Sequence, residues 1–342
     1  MNKSKVLLIY TGGTIGMKEE EIKNSLKPFN FNQITNEVPE LNKINCRIDA
    51  ISFEKPIDSS DININTWEEI GDHIYDNYYK YDGFVVLHGT DTMSYTACAL
   101  SFMFQNLDKP IILTGSQLPI GQVRTDGKEN LITSIEIASA KKNKESIINE
   151  VAIYFENQLF RGNRTTKVSS HHFDAFMSYN YPSLADVGIK IKYNYNAVLK
   201  NNTKEFHFLK GFDPKVHVVF FYPGILINEL MHSILNNPSK IIILNSYGSG
   251  NLPISKEFYS FIQEQTKLNK IFLNVSQCAS GTIDQDKYEN GENLKKVGVI
   301  GVKDMTIEAV IVKSMFLINK FPNDKTKFIE NFNFNIAGEF TL

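Results

Sequence analysis

The sequence has little of what marks a secreted, membrane-bound or nucleic-acid-binding chain. Cysteine is scarce: Cys46, Cys98 and Cys278 are the only three in 342 residues, odd in number and far apart. That excludes a disulfide framework and suits reduced thiols in a cytoplasmic protein. No cluster of His, Cys and carboxylates has metal-ligand spacing. No apolar run approaches the ~20 residues that a membrane-spanning helix needs. Near the N-terminus, Lys3 and Lys5 precede only a short apolar run before two glycines, with no small-residue cleavage site after it. A signal peptide is therefore not expected. Basic blocks and acidic tails are missing too. With a net charge of −2, the chain has no electrostatic reason to bind nucleic acid or an anionic membrane. Internal repeats and low-complexity segments are also absent.

What is present is a globular composition, 42% apolar with charge spread throughout, in a chain long enough for two domains. Short runs apolar at every position recur: K-V-L-L-I-Y (5–10), F-V-V-L-H (84–88), P-I-I-L-T (110–114) and V-A-I-Y (151–154). Such runs indicate strands buried on both faces, as in a parallel sheet. Between them lie helical spacings. Trp67, Ile70 and Ile74 follow a Thr66/Glu69 capping-box pair; Met93, Ala97, Leu100 and Phe104 share a face; so do Leu131, Ile135 and Ala138. This alternation predicts an α/β fold: a larger N-terminal domain, residues 1–190, built on a doubly wound, mostly parallel sheet. A Lys- and Asn-rich linker with a short hairpin is expected over 191–212. A smaller C-terminal α/β domain, 213–342, follows, with strands near 216–222, 240–245, 270–275 and 297–300 and helices near 226–237, 255–267 and 306–320.

In an open parallel sheet, ligands bind beyond the carboxyl ends of the strands. Three polar motifs sit at such ends. In T-G-G-T-I-G, Gly12 and Gly13 can take positive φ and expose N–H groups. Taken alone, Thr14 is better explained as a turn or cap residue than as a nucleophile. Phosphate binding is the runner-up reading, weakened because the loop matches neither G-x-G-x-x-G nor the P-loop. In H-G-T-D-T-M, Thr90, Asp91 and Thr92 are more polar groups than one helix cap requires. His88 is read as a satisfied histidine rather than a base. R-G-N-R-T-T-K, 161–167, is by charge alone a solvated basic loop; a Lys167 that reached Thr90 and Asp91 would instead complete a Thr–Lys–Asp relay. The His171–His172 pair is read as a surface feature.

These motifs carry a resemblance. Y-T-G-G-T-I-G-M, D-S-S-D-I, D-G-F-V-V-L-H-G-T-D-T-M, I-L-T-G-S-Q-L-P, R-G-N-R-T-T-K, F-F-Y-P-G, S-Y-G-S-G-N and V-I-G-V-K-D-M-T run in order from residue 10 to about 306. In this the sequence resembles the bacterial-type L-asparaginases, in their cytoplasmic type I branch. The resemblance implies hydrolysis of L-asparagine to L-aspartate and ammonia, with some glutamine hydrolysis. It implies Thr14 as nucleophile and Thr90, Asp91 and Lys167 as a second catalytic group. Asp58, Ser59 and Ser60 would hold the substrate's α-ammonium and α-carboxylate, with Thr90 and Asp91 sharing that task. Neither a metal nor an organic cofactor is implied, and a homodimer or homotetramer is.

The sequence departs from that family in two places. Many members carry a tyrosine on the loop after the nucleophile; here none lies between Thr14 and Tyr75, and Ser25 falls in that region. Which group assists Thr14 is open, and residues 17–28 are expected to form a lid that orders over substrate. Some relatives have a second asparagine site beside S-Y-G-x-G-N. Thr166, Asn251 and Cys278 match it, but Asn245 stands where those relatives have arginine. Losing the guanidinium fork predicts a hyperbolic rate curve. Two rival readings are a tRNA-linked amidotransferase subunit and a non-catalytic amino-acid-binding protein on the same fold. The first expects a further N-terminal domain and a basic surface, the second a dispensable set of Thr14, Thr90, Asp91 and Lys167.

Overall fold

The apolar runs of the N-terminal half become the central strands of one mixed sheet. The structure is a computed structural model, and it describes residues 3–20, 25–28, 38–200, 205–253, 255–286 and 289–342. Its first compact unit comprises Met1–Lys210 and its second Gly211–Leu342. In the first unit β1 (Ser4–Gly12), β2 (Cys46–Ile57), β3 (Gly83–Leu87), β4 (Ile111–Thr114) and β5 (Val151–Phe155) are parallel. Three antiparallel strands, β6 (Gln158–Arg161), β7 (Ala185–Val187) and β8 (Ile191–Tyr193), extend the sheet. Its spatial order is β8-β7-β6-β5-β4-β3-β1-β2. Every residue of β3, β4 and β5 is buried, as their unbroken apolar runs require.

Helices α1 (Ile64–Asn77), α2 (Met93–Met103) and α3 (Gly127–Ser139) lie between the parallel strands in sequence. Helix α1 buries Trp67, Ile70 and Ile74 on one face, but it begins earlier than the Thr66/Glu69 pair suggests. Asn63 caps it instead, its side chain accepting from the Asn65 N–H at 3.0 Å, and Thr66 is buried in the first turn. Helix α2 is buried on nearly all sides, which is why its apolar spacing is less one-sided than that of α1.

Two further features of this unit were hidden in the sequence. Strand β2 mixes exposed and half-buried positions along a sheet edge, so it carries no continuous apolar run. The polar stretch after residue 154 is a hairpin: Glu156 and Asn157, at φ 41° and 67°, make the two-residue turn that joins β5 to β6. Residues 191–212 hold β8 and the short strand His207–Phe208, which pairs with Phe104–Gln105 inside the first unit. In the region read as a lid, Met17–Glu20 pairs antiparallel with Ser25–Pro28; residues 21–24 lie outside the described residues.

The second unit has strands β9 (Val216–Phe220), β10 (Ile241–Ser246), β11 (Ile271–Ser276) and β12 (Val299–Gly301), all parallel and in that spatial order. Its helices are α4 (Ile227–Asn236), α5 (Lys256–Lys267), α6 (Glu289–Lys296), α7 (Ile307–Lys320) and α8 (Lys325–Asn333). Two of them, α6 and α8, are short and rich in polar residues, and the apolar spacing does not reveal them. A buried cluster that includes Phe221, Ile242, Leu244, Phe258 and Phe272 fills this unit's core.

Candidate active site

The order β2-β1-β3-β4-β5 reverses direction at β1, and a reversal of this kind opens a crevice at the carboxyl ends of the two strands that flank it. The loops beyond β1, β2, β3 and β4 meet there, and glycines let them touch. Gly12 and Gly13 have φ of 140° and 83°. A Cβ on Gly12 would lie 2.1 Å from the Ile57 carbonyl, and one on Gly13 would lie 2.5 Å from the Gly89 nitrogen. A Cβ on Gly89 would meet the Ser59 hydroxyl at 2.5 Å, and one on Gly115 the His88 carbonyl at 2.3 Å. Backbone approach this close leaves no room for any side chain. Segments far apart in sequence, those of Thr14, Ser59, Thr90 and Gln117, are thus packed together.

Thr14 opens a single 3₁₀ turn, Thr14–Gly16, and is half-buried. Tyr10 packs behind that turn: a Cβ on Gly16 would lie 2.4 Å from its hydroxyl. Burial pushes the Tyr10 phenol up to about 12, so at neutral pH it keeps its proton. The Lys167 ammonium donates to Thr90 Oγ1 at 2.7 Å and to Asp91 Oδ1 at 2.6 Å. The Thr90 oxygen therefore already accepts a charged donor, and its own proton points away from Lys167. Gln117 Oε1 faces it at 3.5 Å, with the Gln117 amide turned that way by donating to the His172 carbonyl at 2.9 Å.

Lys167 owes its aim to the two arginines of its motif, which are not solvated. Arg161 pairs with Glu150 at 2.5 Å and donates to the Ala197 carbonyl at 2.8 Å, and Arg164 donates to the Asn180 carbonyl at 2.7 Å. Both are buried, and Tyr181 stacks on the Arg161 guanidinium. Their charges hold the loop to the fold, so Lys167 is the cation left to face Thr90 and Asp91. Its short strand, Thr166–Lys167, is pinned by pairing with Phe176–Met177.

Asp58 is exposed and accepts from the Ser60 N–H at 2.9 Å and the Ser60 hydroxyl at 2.8 Å. These two bonds hold its carboxyl below the usual range, so it is an anion at neutral pH. Ser59 is buried, and its carbonyl accepts from the Thr92 hydroxyl at 2.6 Å, which ties the Asp58–Ser60 turn to the Thr90 loop. His88 is buried between the Gly89 carbonyl, 2.6 Å from Nδ1, and Thr96 Oγ1, 2.9 Å from Nε2. Trp67 Nε1 donates to the same Thr96 hydroxyl at 3.1 Å. Burial lowers the His88 pKa to about 4, leaving a neutral ring that braces β3. His171 and His172 are exposed at the surface.

The apolar pattern did not single out Gln117 and Asp126. Buried Asp126 accepts from the Gln117 N–H at 2.9 Å and the Leu118 N–H at 3.1 Å, which sets the loop carrying Gln117. The sequence signals were the S-Q dipeptide at a strand end and the helical spacing of Leu131, Ile135 and Ala138, which begins near Asp126. Of the residues matched to a second asparagine site, Asn251 and Cys278 lie with the departing Asn245 at the carboxyl ends of β10 and β11, while Thr166 belongs to the first unit. Asn245 is half-buried, and its Oδ1 has no hydrogen-bond partner among the described residues. Among the described residues, no three His, Cys, Asp or Glu side chains cluster to hold a metal ion.

Comparison with known proteins identifies the family. The family model for the asparaginase N-terminal domain matches residues 5–199, and that for the glutaminase/asparaginase C-terminal domain matches 215–332. L-asparaginase 1 of Escherichia coli is 38% identical over 342 residues, spanning 100% of this chain and 99% of its own length. The crystal structure of L-asparaginase I from Vibrio cholerae has a TM-score of 0.89 at 36% identity, covering 99% of this chain and 100% of that one. A glutamyl-tRNA(Gln) amidotransferase chain of Thermoplasma volcanium is more distant, 29% identical over 98% of this chain and 81% of its own length. With both family domains matched in order and one relative aligned from end to end, the chain belongs to the asparaginase family.

Proposed function

We propose that this protein is an L-asparaginase, hydrolysing L-asparagine to L-aspartate and ammonia, with Thr14 as the nucleophile. The observation that carries the reading is Lys167 bonded to both Thr90 and Asp91, on a loop that packs against the Thr14 turn through Gly13 and Gly89. The α-ammonium of the substrate is held by Asp58 and Asp91, and its α-carboxylate by Ser59 and Ser60, with Thr90 alongside. Thr14 Oγ attacks the side-chain amide carbon, and glycine-loop N–H groups stabilise the developing oxyanion. The C–N bond breaks as the hydroxyl proton passes to the leaving nitrogen, giving ammonia and a β-aspartyl ester on Thr14. Water then attacks the ester, and its proton returns to the Thr14 oxygen. The Thr90–Lys167–Asp91 group moves these protons, a task that is larger here because no tyrosine follows Thr14 within the next 60 residues.

Glutamine is longer by one methylene, worth about 1–3 kcal/mol in a fitted pocket, so slower glutamine hydrolysis accompanies the main reaction. The reading includes a homodimer or homotetramer in the cytoplasm and no cofactor. Among the described residues, no helix is long and apolar enough to cross a membrane. The amidotransferase alternative is disfavoured by the net charge of −2 and by a sequence without a block of basic residues. Ammonia release from asparagine and glutamine, measured for wild type, Thr14→Ala and Thr90→Val, tests the proposal. Each variant should lose about 10³-fold or more in kcat with an unchanged melting temperature; full activity in both would overturn it.

A further inference from the structure

The amino ends of the strands in the second unit gather three cations that no carboxylate among the described residues neutralises. Lys240 and Lys270 immediately precede Ile241 and Ile271, which are register partners on the adjacent parallel strands β10 and β11. Neighbouring strands lie about 4.8 Å apart, so two like charges start out side by side. Lys325, at the start of α8, joins them at a cavity of about 370 Å³. No Asp or Glu among the described residues lines that cavity. The nearest carboxylate in sequence, Asp324, is turned to cap α8 at the Lys327 N–H and to pair with the Lys327 ammonium.

The hydrogen bonds of these lysines go to neutral oxygens. Lys240 donates to the Pro322 carbonyl at 2.6 Å and to Asn323 Oδ1 at 3.3 Å. Lys270 donates to the carbonyls of Asn237 and Ser239, both at 3.0 Å, and Lys325 to those of Thr266 at 2.7 Å and Lys270 at 3.2 Å. These bonds fix where each ammonium sits but leave its charge in place. An ammonium has three donors, so each lysine keeps one spare N–H. Burial holds Lys270 and Lys325 below the usual lysine range, and no neighbouring anion among the described residues offsets that effect. The rest of the wall is largely apolar, with Leu268, Ile318, Phe321 and Phe328.

We propose that this cavity binds a phosphorylated small molecule, with the phosphate on Lys240, Lys270 and Lys325 and the organic part against Phe321 and Leu268. A phosphate monoester brings a charge near −2 and three terminal oxygens, matching three spare donors on three cations. A carboxylate has one charge and two oxygens, and would leave one lysine unmatched. The cavity also falls within the size range of small-molecule sites, about 300–1,000 Å³. The site lies wholly within the second unit and is independent of the asparagine reaction.

Calorimetric titration of the full chain with AMP and with inorganic phosphate, at constant ionic strength set with chloride, tests this. AMP should bind saturably with one site per chain, and inorganic phosphate should compete for it more weakly. Lys240→Gln and Lys325→Gln should each weaken AMP binding about tenfold, the loss of one charge-assisted hydrogen bond. Among the described residues the Lys240 ammonium donates only to the exposed Pro322–Asn323 loop, so its substitution should leave the melting temperature and asparagine hydrolysis unchanged. Absence of saturable AMP binding, or an AMP affinity that Lys240→Gln leaves untouched, would overturn the site. Inorganic phosphate binding as tightly as AMP would overturn the role of the apolar wall.

Discussion

The two sheets are wound from the same kind of strand, yet one reverses its order and the other does not. In the first unit β1 is followed by β2 on one side and β3 on the other. In the second, β9 to β12 lie in simple succession. A reversal separates the loops that leave the two flanking strands and opens a crevice between them; a simple succession provides no such point. The catalytic candidates Thr14 and Thr90 follow β1 and β3 at the reversal. Apolar content cannot show this difference, because both sheets have strands opening on continuous apolar runs, such as Phe84–Leu87 in one and Ile241–Leu244 in the other. Strand order shows it.

Lys167→Met should break the first sheet's site most sharply. It removes the cation bonded to Thr90 and Asp91, and kcat should fall about 10²- to 10⁴-fold, the usual range for losing a proton-transfer group. Asn245→Ala, at a strand end of the sheet without a reversal, should change kcat by less than about twofold, because it removes no group bonded to Thr90, Asp91 or Lys167. Equal losses in the two variants would contradict the comparison. Arg161→Leu ranks next. It leaves Glu150 buried without its guanidinium and should cost about 3–5 kcal/mol in urea-unfolding free energy. The second unit carries a fully buried pair of its own, Lys313 with Glu339. If the Arg161 change leaves the unfolding curve unmoved, the ion pair does not hold the Lys167 loop.

The last test is one of pH. His88 has a pKa of about 4 in the fold against 6.5 when unfolded. Between those values the unfolded chain binds the proton and the folded chain does not, so stability rises with pH over this window and falls as pH drops from 6.5 to 4. The shift corresponds to about 3 kcal/mol at the acid end. Unfolding measured at several pH values should show that loss in wild type and a flatter profile in His88→Asn. An identical slope in both would assign the acid sensitivity elsewhere.

The parallel strands were legible because burial on both faces demands unbroken apolar runs. Strand β2 was not, because an edge strand tolerates Arg47, Glu54 and Lys55 at exposed positions. Arg161 and Arg164 read as solvated for a different reason. Their burial depends on Glu150, on the Asn180 and Ala197 carbonyls and on the Tyr181 ring, and some of these lie more than 15 residues away in sequence. Gln117 was quoted in a motif without a role, since its amide gains one only when the His172 carbonyl turns it toward Thr90.

By itself, the sequence determined the fold class and the strand ends at which chemistry could occur. Apolar periodicity and glycine placement are local properties, written into consecutive residues. Only the tertiary structure decided which strand ends meet, which cations remain to face a hydroxyl, and where three lysines line one cavity. Those outcomes depend on strand order and on charges neutralised across the fold, and neither is set by any single stretch of chain.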